Sequence, residues 1–236
     1  VASLKKVLKK DGTITIEIPH LLSLIEKNEF DTIYHEHFFY FSILALVKIF
    51  SKHNLSIYDL DELETHGGSL RIYATHVGNY IDKNSDKKNV DRVLNKELTY
   101  GLDSLGYYKK LQHSALSIKL NSLQYLINNK LDGKKIIAFG AAAKGNTFLN
   151  YCGVKSDIIE AVIDETPYKI GKYMPQSKIP ILPLSAIKDL KPDIIVILPW
   201  NHKDEILSKL EFTKEWNCEI VTFIPKLEIL QCKGDD

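Results

Sequence analysis

The stretch Lys135–Gly145 reads Lys-Ile-Ile-Ala-Phe-Gly-Ala-Ala-Ala-Lys-Gly and decides the fold expected for the second half of the chain. A short apolar run ends there at a glycine, and a helical pattern follows, which is typical of a strand that turns into a helix. Apolar runs and helical segments then alternate as far as Ile224. This rhythm predicts a doubly wound, Rossmann-like α/β domain over residues 132–236.

The loop at the end of this strand has part of a dinucleotide-binding pattern. It reads Gly140-x-Ala142-x-x-Gly145, with alanine where the fingerprint has its middle glycine. That glycine lets a pyrophosphate approach the backbone, so the Ala142 methyl group argues against a standard NAD site but still permits a phosphate at the helix N-terminus. Asp164 follows the next strand at about the spacing of a ribose-binding acid. A nicotinamide-dependent oxidoreductase is therefore one alternative function.

The stretch Thr32–Phe41 reads Thr-Ile-Tyr-His-Glu-His-Phe-Phe-Tyr-Phe and holds the candidate proton-transfer groups. Two imidazoles, a carboxylate and a phenol lie there within an aromatic run. Polar groups that face an apolar wall lose water, which shifts their pKa values and suits them to general base catalysis. The alternative is a loop whose histidines face solvent ahead of a core helix.

Composition limits the function classes. The chain of 236 residues has 44% hydrophobic residues, 26% charged residues and a formal net charge of +1, which indicates a globular protein of one or two domains. Its lysine pairs are dispersed, so no nucleic-acid partner is predicted. No apolar run is long enough for a membrane span and the start has no signal-peptide pattern, so we expect a cytoplasmic protein without a membrane partner.

The three cysteines are widely spaced and form no metal-binding or disulfide pattern. We therefore predict ordinary thiols and no bound metal at Cys152, Cys218 and Cys232.

The first half of the chain predicts a strand over Thr13–Ile18, a helix capped by Ser42, and two further strands over Leu55–Leu60 and Ser69–Thr75,. Apolar residues at helical spacing between 90 and 130 predict one interrupted helix or two helices. We expect this helical part, residues 89–131, to link a domain over residues 1–88 to the α/β domain over residues 132–236.

Four motifs occur in an order that resembles the sugar C-methyltransferases, which act on nucleotide-linked ketodeoxysugars. The resemblance extends from about Asp11 to about Pro225. The motifs are Tyr34-His35-Glu36-His37 with the following Phe38–Ser42, then Thr65–Arg71, Phe139–Thr147 and Pro199–Asp204.

The resemblance implies that residues 1–88 are the C-terminal part of a class I methyltransferase Rossmann-like sheet. The first four strands of that sheet, with the glycine-rich loop that holds S-adenosylmethionine, would then lie upstream of residue 1. It implies a C-terminal portion of an enzyme that transfers a methyl group from S-adenosylmethionine to the carbon beside the ketone of a nucleotide-linked ketosugar. The missing N-terminal half would be a partner in that reaction, and the alternative is a nucleotide-sugar-binding module that is inactive alone.

The resemblance also implies roles for individual residues. His37 would be the general base, Glu36 and Tyr34 would orient it or stabilise charge, and His35 is the rival base. Arg71 has the alternative of an ion pair with an acidic neighbour, and Asn201 that of a helix cap. The residues expected to face the nucleotide-sugar are His66, Arg71, Lys144, Gly145, Asn146, Asn201 and His202.

Overall fold

A computed structural model describes residues 1–230, and at His66 the backbone alone. The chain divides into two compact units. The first unit comprises Val1–Lys27 and Phe38–Gln112, and the second comprises Asn28–His37 and His113–Asp236. The segment Asn28–His37, which carries the candidate proton-transfer groups, thus belongs to the second unit although the chain on both sides of it belongs to the first. The boundaries expected from the sequence, near 88 and 131, do not coincide with these.

The first unit contains five helices and three strands, and the long helix α6 (Leu105–Leu131) begins in it. Two 3₁₀ turns also occur in the first third of the chain, at Phe30–Thr32 and Thr65–Gly67. The helices are α1 (Ala2–Val7), α2 (Leu21–Glu26), α3 (Ile43–Lys52), α4 (Tyr80–Asn84) and α5 (Lys88–Tyr100), and the strands are β1 (Ile14–Pro19), β2 (Leu55–Leu63) and β3 (Ser69–His76).

The three strands form an antiparallel sheet in the order β1-β3-β2. The central strand has the alternating pattern of a sheet with one buried face, and its Leu70, Ile72 and Ala74 are fully buried,. The valines Val90 and Val93 of α5 belong to the same core. Helix α5 is therefore part of the first unit, where the sequence had suggested a linker.

Helix α3 starts at a buried polar cluster. The Ser42 hydroxyl accepts a hydrogen bond from Ala45 N–H at 3.1 Å, as predicted for its cap,. The fully buried Glu97 carboxylate accepts hydrogen bonds from Ile43 N–H at 2.7 Å and from Leu44 N–H at 2.9 Å. The buried His20 Nε2 lies 2.8 Å from the same carboxylate. One side chain of α5 thereby binds backbone donors that the first turn of α3 leaves unpaired.

In its described residues, the second unit contains the rest of α6, three further helices and six strands. Two more 3₁₀ turns occur at Trp200–His202 and Glu211–Trp216. The helices are α7 (Ala143–Cys152), α8 (Ala186–Leu190) and α9 (Lys203–Lys209), and the strands are β4 (Ile136–Phe139), β5 (Val162–Ile163), β6 (Ile181–Leu182), β7 (Ile194–Ile197), β8 (Glu219–Thr222) and β9 (Glu228–Leu230).

These strands form one sheet in the order β6-β5-β4-β7-β8-β9, in which only β9 is antiparallel to its neighbour. The chain runs outward in one direction from β4 to β6 and in the other direction from β7, so the topological switch point lies between β4 and β7. This is the doubly wound α/β fold that the sequence predicted. Within residues 1–230, no helix is both long and apolar enough to span a membrane.

Candidate active site

The loop between β4 and α7 lies at the switch point and is shaped by a close backbone approach. Gly140 has a φ of 92°, which disfavours any residue with a Cβ atom. A Cβ atom at this position would lie 2.5 Å from Cδ of Pro199, the residue that ends the loop after β7. Only glycine fits here, because both the backbone conformation and the neighbouring ring exclude a side chain.

Replacing Gly140 by alanine is expected to destabilise the second unit by about 2–5 kcal/mol, the sum of left-handed strain and overpacking. Gly153→Ala is the matched control, since Gly153 has a similar φ of 78° but no atom within 4 Å of its ideal Cβ. Thermal unfolding followed by tryptophan fluorescence reports on this unit, which holds Trp200 and Trp216. Equal losses in the two variants would contradict the role assigned to Pro199.

Asp164, at the end of β5, holds the same loop in place. Its carboxylate accepts a hydrogen bond from Ala141 N–H at 2.7 Å and another from Thr166 N–H at 2.8 Å, and Lys169 Nζ lies 3.3 Å from it. Burial alone would raise the pKa of Asp164, but these hydrogen bonds and the Lys169 charge outweigh it and lower the pKa. Asp164 thus fixes the backbone of the loop between β4 and α7 and of the turn at Thr166.

The first half of the segment Asn28–His37 packs against the rest of the second unit. Residues 29–32 are all buried. The Phe30 ring lies 4.9 Å from the Tyr151 ring and 6.5 Å from the Phe148 ring, centroid to centroid, and both partners belong to α7. A segment of irregular backbone is therefore fixed on α7 by its aromatic side chain.

The second half of this segment orients His37. The His37 Nδ1 atom lies 2.8 Å from the Thr32 carbonyl oxygen, and because a carbonyl only accepts, Nδ1 carries the proton. In the neutral ring the lone pair is then on Nε2. The His37 ring also lies 4.3 Å from the Tyr34 ring, centroid to centroid. The Thr32 carbonyl thus performs the tautomer fixing that the sequence had suggested for Glu36.

The aromatic wall expected around these groups is only partly formed. The Phe38 and Phe39 side chains are 83% and 73% exposed. The side chains of His35 and Glu36 are likewise exposed, and His35 Nε2 lies 3.9 Å from Glu36 Oε1. The predicted desolvation of this stretch was therefore wrong for its middle residues, because the buried aromatic contact is made by Phe30, which precedes the stretch.

A partly buried polar cluster around Asp31 joins the segment to the switch point. The Trp200 indole Nε1–H donates a hydrogen bond to Asp31 Oδ2 at 2.9 Å. The Lys144 ammonium lies 4.4 Å from the centroid of the Trp200 ring and donates a hydrogen bond to Asn201 Oδ1 at 2.7 Å. Burial lowers the pKa of Lys144, against the attraction of Asp31 and Glu29.

A cavity of about 400 Å³ opens in the second unit beside the N-terminal end of α7. This volume is within the range of small-molecule sites. Tyr34 and His35 form part of its wall, and Tyr168, Lys172 and Tyr173 line it from the loop after β5. The remaining lining residues are Ala141, Ala142, Ala143, Asn146, Thr147, Lys169, Met174, Pro175 and Ile181.

The residues of the second unit that were expected to face a substrate do not all line this cavity. Asn146 lines the cavity. Lys144 and Asn201 bind each other in the polar cluster, so Asn201 does not cap α9. Gly145 is buried, and a Cβ atom there would lie 2.7 Å from Leu198 Cβ, so this glycine serves close packing of α7 on β7. His202 is exposed and is not among the lining residues.

Two expected substrate residues belong to the first unit. Arg71 donates a hydrogen bond to Glu17 across the β1–β3 pair at 2.9 Å, which is the ion pair given above as its alternative. The side chain of His66 lies outside the described part of the structure.

Several residues of the site were missed by sequence reasoning. Asp31 lies just before the stretch that drew attention, and its burial could have been suspected from the neighbouring Phe30. Tyr168, Lys172 and Tyr173 lie in a proline-containing loop that carries no motif. The spacing of aromatic and lysine side chains in that loop was the only available signal.

Two of the three cysteines lie in the described part of the chain. Cys152 and Cys218 are free and buried. Burial raises the pKa of the Cys152 thiol to about 12. Cys232 lies outside the described residues. Among the described side chains of residues 1–230, which do not include that of His66, no group of three metal-ligating side chains of the His, Cys, Asp or Glu type comes together.

Comparisons with known proteins place the chain in a family. The family described as C-methyltransferase C-terminal domain matches residues 64–225, more than half of the chain. The chain is also 29% identical over 228 residues to the C-methyltransferase NovU of Streptomyces niveus, covering 97% of this chain and 54% of the relative. The chain thus spans about half the length of the curated relative that it matches. With its Rossmann-like second unit and these matches, the chain belongs to the C-methyltransferase C-terminal domain family.

Proposed function

We propose that this chain forms the C-terminal part of a C-methyltransferase that acts on the carbon beside the ketone of a nucleotide-linked ketodeoxysugar. The observation that carries the proposal is the position of the segment Asn28–His37. It packs on the Rossmann-like unit, lines the cavity with Tyr34 and His35, and holds His37 in a defined tautomer. The family match supports the reaction class.

The chemistry assigned to this chain is proton removal and support of the enolate. His37 Nε2 takes the proton from the carbon beside the carbonyl, and the bonding pair moves into the enolate. The Tyr34 phenol, which lies beside the His37 ring, donates a hydrogen bond to the developing oxyanion. His35 is the second imidazole of the segment and lies on the cavity wall, which keeps it as the rival base.

The methyl donor in this proposal is S-adenosylmethionine, whose sulfonium supplies an electrophilic methyl group. In the described residues Asp164 holds Ala141 N–H and Lys169, and the chain spans 54% of the length of the relative that it matches. We therefore assign donor binding to a part of the enzyme outside this sequence or to a separate chain, and we place no donor in the Gly140 loop.

The cavity is assigned to the nucleotide part of the substrate. Tyr168 and Tyr173 are 71% and 65% exposed and offer flat faces for a base,. The N-terminal end of α7 and the Lys172 ammonium provide positive potential for a pyrophosphate. Asn146 Oδ1 is buried without a hydrogen-bond partner among the described residues and is a candidate acceptor for a ligand N–H or O–H group.

Isothermal titration of the chain with a dTDP-sugar, NADH and S-adenosylmethionine is expected to show binding of the dTDP-sugar alone. Lys172→Ala should weaken that binding about tenfold, since a charge-assisted hydrogen bond to phosphate is lost. Lys178→Ala is the matched control, because Lys178 is an exposed lysine of the same loop that does not line the cavity.

Each result of this titration has a definite reading. Equal affinity of the two lysine variants would contradict the assignment of the cavity. Tight binding of NADH would favour the oxidoreductase alternative. Binding of the dTDP-sugar with no exchange of its C–H group in the complete enzyme would indicate a binding module.

A further inference from the structure

The Asp31 carboxylate is the least accessible charged group of the segment. It is 0% exposed. The Trp200 indole donates a hydrogen bond to Oδ2, no other described side chain donates to the carboxylate, and the backbone N–H groups of Asp31 and Thr32 contribute weaker interactions. Burying a carboxylate with so few partners is unfavourable. A buried carboxylate of this kind is a candidate functional group, and its geometric contribution is an acceptor for the Trp200 indole,.

The charges around Asp31 are few. Lys144 is the cation that acts on it, and Glu29, on the same segment, also attracts Lys144. Burial outweighs the Trp200 hydrogen bond and the Lys144 attraction, and it raises the pKa of Asp31 to about 6. The group therefore titrates close to neutral pH while it holds the segment to the switch point.

A short covalent and hydrogen-bonded path connects Asp31 to His37. Thr32 follows Asp31 directly, and its carbonyl accepts the His37 Nδ1–H at 2.8 Å. The Thr32 side chain is itself fixed, because its hydroxyl donates to the Glu29 carbonyl at 2.7 Å. A displacement of Asp31 therefore moves the acceptor that sets the tautomer and direction of the His37 ring.

We propose that Asp31 is a positioning residue, whose carboxylate, held by the Trp200 indole at the sheet edge, places the Thr32 carbonyl and so orients the His37 ring. The proposal rests on the proposed function, in which His37 removes the substrate proton. Asp31 touches neither substrate nor donor in it. The Pro199–Asn201 turn thereby influences the orientation of the His37 ring, because its Trp200 holds Asp31 in place.

The test uses the complete enzyme and three variants of this contact. Trp200→Phe and Asp31→Ala are expected to mix the two neutral tautomers of His37 and to slow C–H exchange of the ketosugar about 10- to 100-fold, as for other residues that orient a functional histidine. Asp31→Asn keeps an acceptor for the indole and should retain the tautomer. The readout is the ¹⁵N spectrum of the histidine rings, with His37 assigned by its absence in His37→Ala.

Trp216→Phe is the matched control. The Trp216 indole donates to the Pro192 carbonyl at 2.9 Å, in the same unit but in another contact. If Trp200→Phe leaves the His37 spectrum as unchanged as Trp216→Phe does, the proposal is overturned. A wild-type protein without C–H exchange would instead refute the proposed function, and the ring spectra would still decide the role of Asp31.

The stability of Asp31→Asn shows whether the variant is folded and whether the carboxylate is buried as a charge. Because the folded pKa of Asp31 is raised, its contribution to stability is present below its unfolded pKa and is lost as the pH rises through about 6,. Asp31→Asn should therefore unfold at a higher temperature than wild type at pH 7.5, by a margin that shrinks toward pH 4. Loss of the His37 tautomer in a folded Asp31→Asn would overturn the proposal, because the amide keeps an acceptor for the indole.

Discussion

Replacing His37 by alanine is expected to slow deuterium exchange at the carbon beside the substrate carbonyl by about 10²- to 10⁴-fold, the usual contribution of a positioned general base. The exchange needs no methyl group, so it isolates the proton transfer from the later chemistry. Nuclear magnetic resonance of the ketosugar in deuterated buffer measures it directly, in the complete enzyme. The expectation follows from the Thr32 carbonyl, which leaves the lone pair of the neutral His37 ring on Nε2.

His35→Ala is the matched variant, since it removes an exposed imidazole two residues away from His37. His35 is exposed, and the charged group nearest to it is the Glu36 carboxylate at 3.9 Å. We expect the loss of His35 to change the rate of C–H exchange less than tenfold, because it alters the cavity wall and leaves the general base in place,. The reverse order of the two effects would make His35 the base and would end the assignment of His37.

Glu97→Ala is expected to destabilise the first unit by about 3–5 kcal/mol, because removing one partner of a buried hydrogen-bonded pair leaves the other groups uncompensated. The backbone donors of Ile43 and Leu44 and the buried His20 ring would all lose their acceptor. Urea unfolding followed by circular dichroism gives the total loss. Amide hydrogen exchange in peptides from α3 assigns it to this unit.

Glu62→Ala provides the comparison for a carboxylate of equal charge at the surface. Glu62 pairs with Arg92 and Lys96, all of them partly exposed, so its loss should cost no more than about 1 kcal/mol. Similar losses in the two variants would show that burial of Glu97 contributes little to the first unit.

The fold was predictable from local patterns for clear physical reasons. The strand that ends at Gly140 and the helix capped by Ser42 each carry their signal within a few residues. The short strands β6 and β9 carry no such signal, because two or three residues cannot show a period. The linker predicted over residues 89–131 included most of α5. Periodicity locates a helix but does not show which sheet its apolar residues, here Val90 and Val93, pack against.

The site was predictable only in part, because its polar groups are satisfied by partners far away in the chain. Lys144 and Asn201 looked like substrate ligands since both follow parallel strands at one sheet edge, yet they bind each other. The cluster centred on Asp31 and Trp200 joins residues 169 positions apart. No local pattern reports such a pairing, whereas the His37 tautomer depends on a carbonyl only five residues away.

The discontinuous path of the second unit has a consequence for its biogenesis. Asn28–His37 leaves the ribosome well before His113, where the remainder of that unit begins. The docking surface for Phe30 and Asp31, formed by α7 and the Trp200 turn, is translated later still. This segment therefore has no docking surface until α7 and the Trp200 turn have been synthesised. A recombinant fragment that begins at residue 113 would lack Asp31, the acceptor of the Trp200 hydrogen bond.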